Sequence, residues 1–128
     1  MELKESGQNY LESIYILKKH KEQVRSIDVA KFTGYSRASV SRAMSILKDS
    51  GYVVMDGDDF LHLTEKGNQL AAEIYDRHVV IRDLFIDLGV EEKIAEHDAC
   101  RIEHYLSKET YSALKKHAIE EHNVRQKK

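Results

Sequence analysis

Apolar residues recur at helical spacing along the first part of the chain, and this pattern predicts three helices. Residues 6–20 place Leu11 and Ile14 on one face of the first helix. Residues 26–34 and 36–51 predict two more, the later one with a serine N-cap and each ended by a glycine. Two helices joined by a short turn that contains glycine are typical of a helix-turn-helix.

The spacing of apolar residues then changes from the period of a helix to that of strands. Residues 52–55 and 60–63 predict two strands, and Asp56-Gly57 between them favours a tight hairpin turn. A hairpin directly after a helix-turn-helix predicts a wing.

The second half of the chain predicts helices only. Residues 64–89 form a long helix that begins at a threonine cap and carries His78 within its apolar stripe. Two further helices are expected at about 91–106 and 107–122, and the polar residues 123–128 are expected to fray.

These elements predict a mainly α fold with two domains. Residues 1–63 are expected to form a winged helix-turn-helix DNA-binding domain, and residues 64–122 a helical domain. Residues 123–128 are expected to be a polar tail.

Composition narrows the class of protein. The 128 residues are 41% hydrophobic and include one cysteine, so the chain can bury a core but cannot form an internal disulfide. No apolar run approaches the roughly 20 residues of a membrane span, and the charged N-terminus lacks a secretory signal. We expect a cytoplasmic protein that does not contact membranes.

The third predicted helix is the candidate for DNA recognition. It has no acidic residue between positions 36 and 48, although residues 1–63 as a whole hold nine Lys and Arg against nine Asp and Glu. Arginine can pair with guanine edges in the major groove, and serine can bond bases or phosphates. An ordinary solvated helix face is the alternative. The candidate DNA contacts are Ser36, Arg37, Ala38, Ser39, Ser41 and Arg42.

The predicted wing carries Asp56, Asp58 and Asp59 at its tip. Carboxylates repel phosphate, so the wing is left out of the expected DNA site.

Three side chains of the metal-ligand type lie close together near the C-terminus. Cys100, Glu103 and His104 are three and four residues apart, which would put them on adjacent turns of one predicted helix. Each also has an ordinary interpretation, since a lone cysteine is most often a small buried hydrophobe. Likewise, His78 in an apolar stripe is more often a hydrogen-bonded core residue.

Taken together, several segments resemble the diphtheria-toxin-repressor and manganese-transport-regulator family over nearly the whole chain. The most specific is the run from Ala99 to His104. The segments are Asn9-Tyr10-Leu11-Glu12, Ile14-Tyr15, Ser39-Val40-Ser41, Leu63-Thr64-Glu65-Lys66-Gly67, Arg77-His78 and His97-Asp98-Ala99-Cys100-Arg101-Ile102-Glu103-His104.

The resemblance implies a dimeric, metal-activated transcriptional repressor with a winged helix followed by a metal-binding and dimerisation domain. A metal that links the first helix to the fifth would fix the spacing of two recognition helices on a palindromic operator, whose half-sites lie about 34 Å apart or a multiple of that. The implied metal ligands are Asn9, Glu12, His78, Cys100, Glu103 and His104.

Three departures from the family pattern bear on the metal. Manganese-type members have an acid in place of Asn9 and a glutamate in place of Cys100, so this site is softer. Iron-type members have the cysteine but a methionine in place of Asn9. We expect Fe(II) first and Mn(II) second, with other divalent transition metals able to bind in vitro. Arg82 replaces the acid of the iron-type ancillary site, which argues against that site.

Apolar stripes on the last two helices predict a homodimer, unless both stripes serve the core of one chain. They comprise Ala95, Ala99, Ile102 and Leu106 on one helix, and Tyr111, Leu114 and Ile119 on the other.

A winged-helix regulator switched by thiol oxidation at Cys100, or by an organic ligand, is the alternative function. An enzyme is not expected, because no separate base, nucleophile or phosphate-binding glycine loop accompanies the candidate ligands.

Overall fold

The computed structural model describes residues 3–126, with side chains through residue 121. The chain divides into two compact units, residues 1–73 and 74–128. The mainly α fold with an N-terminal winged helix-turn-helix is confirmed. The elements are α1 (Glu5–His20), α2 (Ser26–Thr33), α3 (Arg37–Asp49), β1 (Val53–Met55), β2 (Leu61–Leu63), α4 (Glu65–Asp87), α5 (Glu92–Ile102) and α6 (Lys108–Gln126).

Local capping defines the helix-turn-helix. The backbone N–H of Arg25 donates to Asp28 Oδ2 at 2.8 Å where α2 begins. Gly34 ends α2 with a left-handed φ of 79°, a conformation that glycine adopts without steric cost. Ser36 Oγ accepts from the Ser39 backbone N–H at 3.1 Å and so caps α3.

The N-terminal unit is built around one apolar core. α1, α2, α3 and the wing all contribute side chains to it, which fixes α3 against the other elements of this unit. Its buried members are Tyr10, Leu11, Ile14, Val24, Val29, Ala30, Val40, Met44, Leu47, Tyr52, Val53, Leu61 and Ala71.

The wing is an antiparallel pair, with Val53 opposite Leu63. The predicted Asp56-Gly57 pair lies in the loop between the strands, and each strand is one residue shorter than predicted. The carboxylate of Asp56 accepts from the backbone N–H of Asp58 at 2.9 Å and of Phe60 at 3.0 Å, which organises the loop from its first residue. The left-handed residue is Asp59, with φ 65°.

The C-terminal unit contains the second part of α4 together with α5 and α6. The prediction that α5 continues to residue 106 is wrong, since the helix ends at Ile102 and leaves Glu103 in the following turn. Arg77 Nη1 donates to the carbonyl of Glu103 at 3.2 Å and of Leu106 at 2.8 Å. The Arg77 side chain thus donates to two carbonyls that would accept from backbone N–H groups if the helix continued.

The other predicted boundaries concern the domains and the last helix. The predicted start of the second domain at residue 64 falls one residue before α4, whereas the compact units divide within that helix. α6 extends through Gln126, into the segment predicted as a polar tail. Residues 127–128 of that tail lie outside the described residues.

Gly67 permits α4 to pass close to the chain that enters the wing. A Cβ at this position would lie 2.0 Å from the carbonyl oxygen of Tyr52, a backbone atom that cannot move aside. Alanine usually stabilises a helix by about 1 kcal/mol relative to glycine. Here we expect Gly67→Ala to destabilise the protein by about 1–3 kcal/mol through steric overlap.

Urea denaturation of the purified protein measures this change. Gly57→Ala is the matched control, because no atom lies within 4 Å of its added Cβ. A Gly67→Ala variant as stable as the control would contradict the close approach of the two segments.

Candidate metal centre and DNA-facing helix

His78 on α4, Cys100 on α5 and Glu103 in the turn after α5 form a cluster in the C-terminal unit. One ligand atom from each residue lies within 4.8 Å of the others. Nitrogen, sulfur and oxygen donors at this separation can contact one divalent transition metal ion. Cys100 is exposed, whereas His78 and Glu103 are buried.

The Glu103 carboxylate gives the strongest sign that this cluster accepts a cation. The residue is 1% exposed, and its Oε2 lies 3.1 Å from His78 Nδ1. Its Oε1 has no hydrogen-bond partner among the described residues, although His104 Nε2 is 3.4 Å away. A buried carboxylate oxygen without a hydrogen bond is costly, and a bound metal ion would compensate it. The donor set present therefore fits a metal ion.

His78 is held between two carboxylates. Its Nε2 lies 2.6 Å from Glu96 Oε1, on the other side of the ring from Glu103. Burial by itself lowers the pKa of His78, but the hydrogen bonds to Glu103 and Glu96 outweigh it and raise the pKa to about 9. The cluster thus attracts positive charge, either as a proton on the ring or as a metal ion.

A second network fixes the turn that carries Glu103. The guanidinium of Arg77 stacks 5.0 Å from the ring centre of Tyr111 on α6 while it bonds the turn carbonyls. The Tyr111 hydroxyl donates to Asp76, which also pairs with Lys115 at 2.9 Å. The burial of Tyr111 and its bond to Asp76 raise the pKa of the phenol. α4 and α6 are thereby joined beside the cluster.

The remaining predicted ligands lie outside this group of three. His104 follows Glu103, and its side chain is 2% exposed. Asn9 and Glu12 lie three residues apart on α1, in the N-terminal unit, where Glu12 is 6% exposed. The prediction that Glu103 and His104 continue the helix of Cys100 is wrong, because α5 ends at Ile102.

Sequence reasoning missed Glu96 and Arg77 as neighbours of the cluster. A signal for Glu96 was present, because it lies four residues before Cys100 on the same helix. Arg77 belongs to the Arg77-His78 segment of the resemblance, but its bonds to residues 26 and 29 positions away have no signal in the sequence.

The exposed surface of α3 carries most of the predicted DNA contacts. Arg37, Ala38, Ser41 and Arg42 are exposed, and Ser39 is half-buried. The Ser36 hydroxyl donates to Ser39 Oγ at 3.0 Å as well as capping the helix, so it is occupied within the protein.

Tyr35, in the turn before α3, is 51% exposed and was not among the predicted contacts. Its ring lies edge-on to Tyr10 with 5.5 Å between the ring centres.

In the part of the chain that the structure describes, no helix has the length and apolar character needed to cross a membrane.

A winged helix-turn-helix joined to a helical unit with a histidine, cysteine and glutamate cluster defines a class of metal-responsive DNA-binding regulators. Residues 2–60 match the iron dependent repressor N-terminal DNA binding domain. Residues 64–119 match the iron dependent repressor metal binding and dimerisation domain. The chain belongs to this iron-dependent repressor family, which includes the diphtheria-toxin-repressor and manganese-transport-regulator branches.

Individual relatives agree with the family. An uncharacterized helix-turn-helix-type transcriptional regulator of Methanocaldococcus jannaschii is 33% identical over 115 residues, covering 88% of this chain and 92% of that protein. The transcriptional regulator MntR of Escherichia coli is 32% identical over 107 residues, covering 84% of this chain and 69% of that protein.

A solved structure, that of the manganese regulator SloR, superposes with a TM-score of 0.78 at 26% identity. It covers 86% of this chain, which spans about half of that longer protein, 52%.

Proposed function

We propose that the chain is a metal-dependent transcriptional repressor that senses Fe(II), with Mn(II) as the second choice, and controls genes of metal homeostasis. It acts as a homodimer on a palindromic operator. The observation that carries the proposal is the cluster of His78, Cys100 and Glu103, with its buried carboxylate, in a chain that also has a winged helix-turn-helix. A regulator switched only by its thiol would not require a buried carboxylate beside the cysteine.

The donor types decide the preference for iron. Mn(II) is a hard ion that favours oxygen ligands, whereas a thiolate favours softer transition metals. Cys100 supplies that thiolate, and its exposed position lets an ion reach it. One solved relative is described as a manganese regulator. The argument for iron in this chain therefore depends on Cys100 and not on that relative.

The ligand set of the proposal is the one that the family resemblance implies. His78, Cys100 and Glu103 are supported by their geometry. His104 is supported by its burial beside Glu103. Asn9 and Glu12 stay predictions, and the burial of the Glu12 carboxylate agrees with a role beyond that of an ordinary solvated residue.

Anaerobic calorimetric titration with Fe(II) and with Mn(II) tests the metal proposal. For the unchanged protein we expect tighter binding of Fe(II). Cys100→Ala should weaken Fe(II) binding by at least the 10–100-fold typical of lost outer-shell partners, since it removes a direct ligand. Cys100→Glu should narrow the difference between the two metals, because it replaces sulfur by oxygen.

Equal Fe(II) affinity in the unchanged protein and in Cys100→Ala would exclude the thiol as a ligand. If the unchanged protein bound neither metal, the alternative regulator, responsive to oxidation or to an organic ligand, would replace this proposal. Ser112→Ala, a substitution at an exposed position of α6, is the control and should bind Fe(II) as the unchanged protein does.

Arg42→Ala tests the recognition helix. Arg42 is exposed on α3 with its Nη2 3.5 Å from Ser39 Oγ, and its guanidinium is accessible to a base edge. We expect metal-dependent operator binding to weaken by about 1–3 kcal/mol, as for the loss of one two-pronged base contact. Metal uptake should stay unchanged. Fluorescence anisotropy with an operator duplex selected from random sequence measures the affinity.

Lys116→Ala on α6 is the matched control, since it removes the same charge from an exposed position in the C-terminal unit. A loss in Arg42→Ala that is uniform across sequences, with a salt slope reduced by about one, would assign Arg42 to a phosphate instead of a base. Unchanged DNA binding would exclude α3 as the recognition helix.

The homodimer proposal is supported by the family's dimerisation domain and by exposed apolar residues of the C-terminal unit. Ala95 and Ala99 of the predicted α5 stripe are fully covered within the chain, whereas Ile102 of the same stripe is 38% exposed. On α6, Ile119 is 52% exposed and lines an apolar groove with Val79 and other residues of α4. A second copy is the occupant that the dimerisation domain implies.

Ile119→Glu should shift the protein from dimer to monomer, because a buried unpaired carboxylate opposes association. Light scattering after gel filtration over a range of concentrations measures the change. Ile46→Glu, at an equally exposed isoleucine of α3, is the control and should leave the dimer intact. An undisturbed Ile119→Glu dimer would show that the interface lies on another face.

A further inference from the structure

Both ring nitrogens of His78 are engaged, and they face different partners. Nδ1 lies 3.1 Å from Glu103 Oε2, within the candidate metal cluster. Nε2 lies 2.6 Å from Glu96 Oε1. Because the two nitrogen lone-pair directions of an imidazole diverge, an ion held through one nitrogen leaves the other to a different partner.

The Glu96 carboxylate is itself held by a second residue. Its Oε2 lies 3.5 Å from Arg82 Nη1, and Arg82 Nε donates to Asp83 at 3.1 Å. Glu96 therefore has one oxygen on His78 and the other on a guanidinium. The Glu96 side chain is 51% exposed, which shows that Glu96 and Arg82 lie at the rim of the cluster and not inside it.

We propose that Glu96 and Arg82 are positioning residues of a site that binds one metal ion through His78 Nδ1. Glu96 accepts the Nε2 hydrogen of His78, and this bond fixes the tautomer and the orientation of the ring. Arg82 holds Glu96 in place from the other side. The inference rests on the proposed metal-dependent function and deepens it, because it assigns the donor atom and the number of ions at this position.

Arg82 also opposes a second ion on the Nε2 side of His78. An ion bound there by Glu96 and Nε2 would have to displace the hydrogen bond between them and would lie beside the positive guanidinium. Glu96 and Arg82 thus favour an ion at Nδ1 of His78 and disfavour a second ion at Nε2. A metal-bound histidine that donates its second nitrogen to a carboxylate is a frequent arrangement, because it makes the ligand nitrogen a better donor.

Calorimetric titration with Mn(II), chosen as an air-stable probe, compares the unchanged protein with Glu96→Ala and Glu96→Gln. We expect the number of Mn(II) ions bound per subunit to stay the same and the Mn(II) affinity of Glu96→Ala to fall about 10–100-fold. Glu96→Gln should lose less, since its amide oxygen can still accept from Nε2. Glu92→Gln, one turn earlier on α5, is the matched control and should bind as the unchanged protein does.

The visible spectrum of bound Co(II) separates positioning from a purely structural role. This spectrum depends on the geometry of the ligands, so Glu96→Ala should shift it even at saturating cobalt, and Glu96→Gln should restore it in part. Thermal unfolding of the metal-free variants checks that each is folded. If Glu96→Ala does not fold, Glu96→Gln, which keeps the side-chain volume, carries the comparison.

Three results would overturn the inference. An affinity and a cobalt spectrum unchanged in both Glu96 variants would show that Glu96 does not position His78. Loss of one of two ions in these variants would make Glu96 a direct ligand. If the unchanged protein bound no divalent metal, the proposed function itself would be refuted. The first two results differ from this one, because in them the unchanged protein binds metal normally.

Discussion

The buried carboxylate of Glu103 is the constraint on which the C-terminal unit depends. An ionised group with almost no exposure costs several kcal/mol unless positive charge and hydrogen bonds compensate it. His78 supplies part of that compensation through the contact at 3.1 Å, and the other oxygen stays without a hydrogen bond among the described residues. The unit therefore contains a buried negative charge that is only partly compensated. A bound metal ion would complete the compensation, and in this way ion binding can stabilise the folded protein.

Arg77 determines where that carboxylate lies. Arg77 is 7% exposed, and its guanidinium bonds the carbonyls of Glu103 and Leu106, which holds the turn after α5 against α4. The same group stacks on Tyr111, which is tied to Asp76 on α4. The position of the metal-type ligands thus depends on a helix end that is stabilised from another helix. A change at Arg77 would disturb the cluster without touching a ligand.

Much of the fold could be predicted from the sequence, because its signals are local. The cap at Ser36 and the glycine at position 34 act within one turn of the chain, and the predicted bounds of α2 and α3 differ from the observed ones by at most two residues. The end of α5 could not be found in this way, since the bonds from Arg77 join residues that are distant in sequence. The wing loop contains the predicted Asp56-Gly57 pair, but the bonds that the Asp56 carboxylate accepts and the left-handed backbone of Asp59 were not predicted. The cluster itself followed from the resemblance, whereas the contacts of Glu96 required the packing of α4 against α5.

The charges around the cluster and the geometry of the imidazole bear on the number of ions. A coordinated Cys100 is a thiolate, so together with the Glu103 carboxylate it brings two negative charges to the ion, and His78 binds as a neutral ligand. One divalent ion would balance the charges of these three side chains, and the Glu12 carboxylate of the proposed ligand set would add a third negative charge to the site. Arg82 lies 3.5 Å from Glu96 and offsets part of its charge, although Arg82 also pairs with Asp83 at 3.1 Å. A second divalent ion beside His78 would bring uncompensated charge near buried groups, where water screens it poorly. The geometry of the imidazole, whose Nε2 is held by Glu96, is therefore the constraint that would limit His78 to one ion.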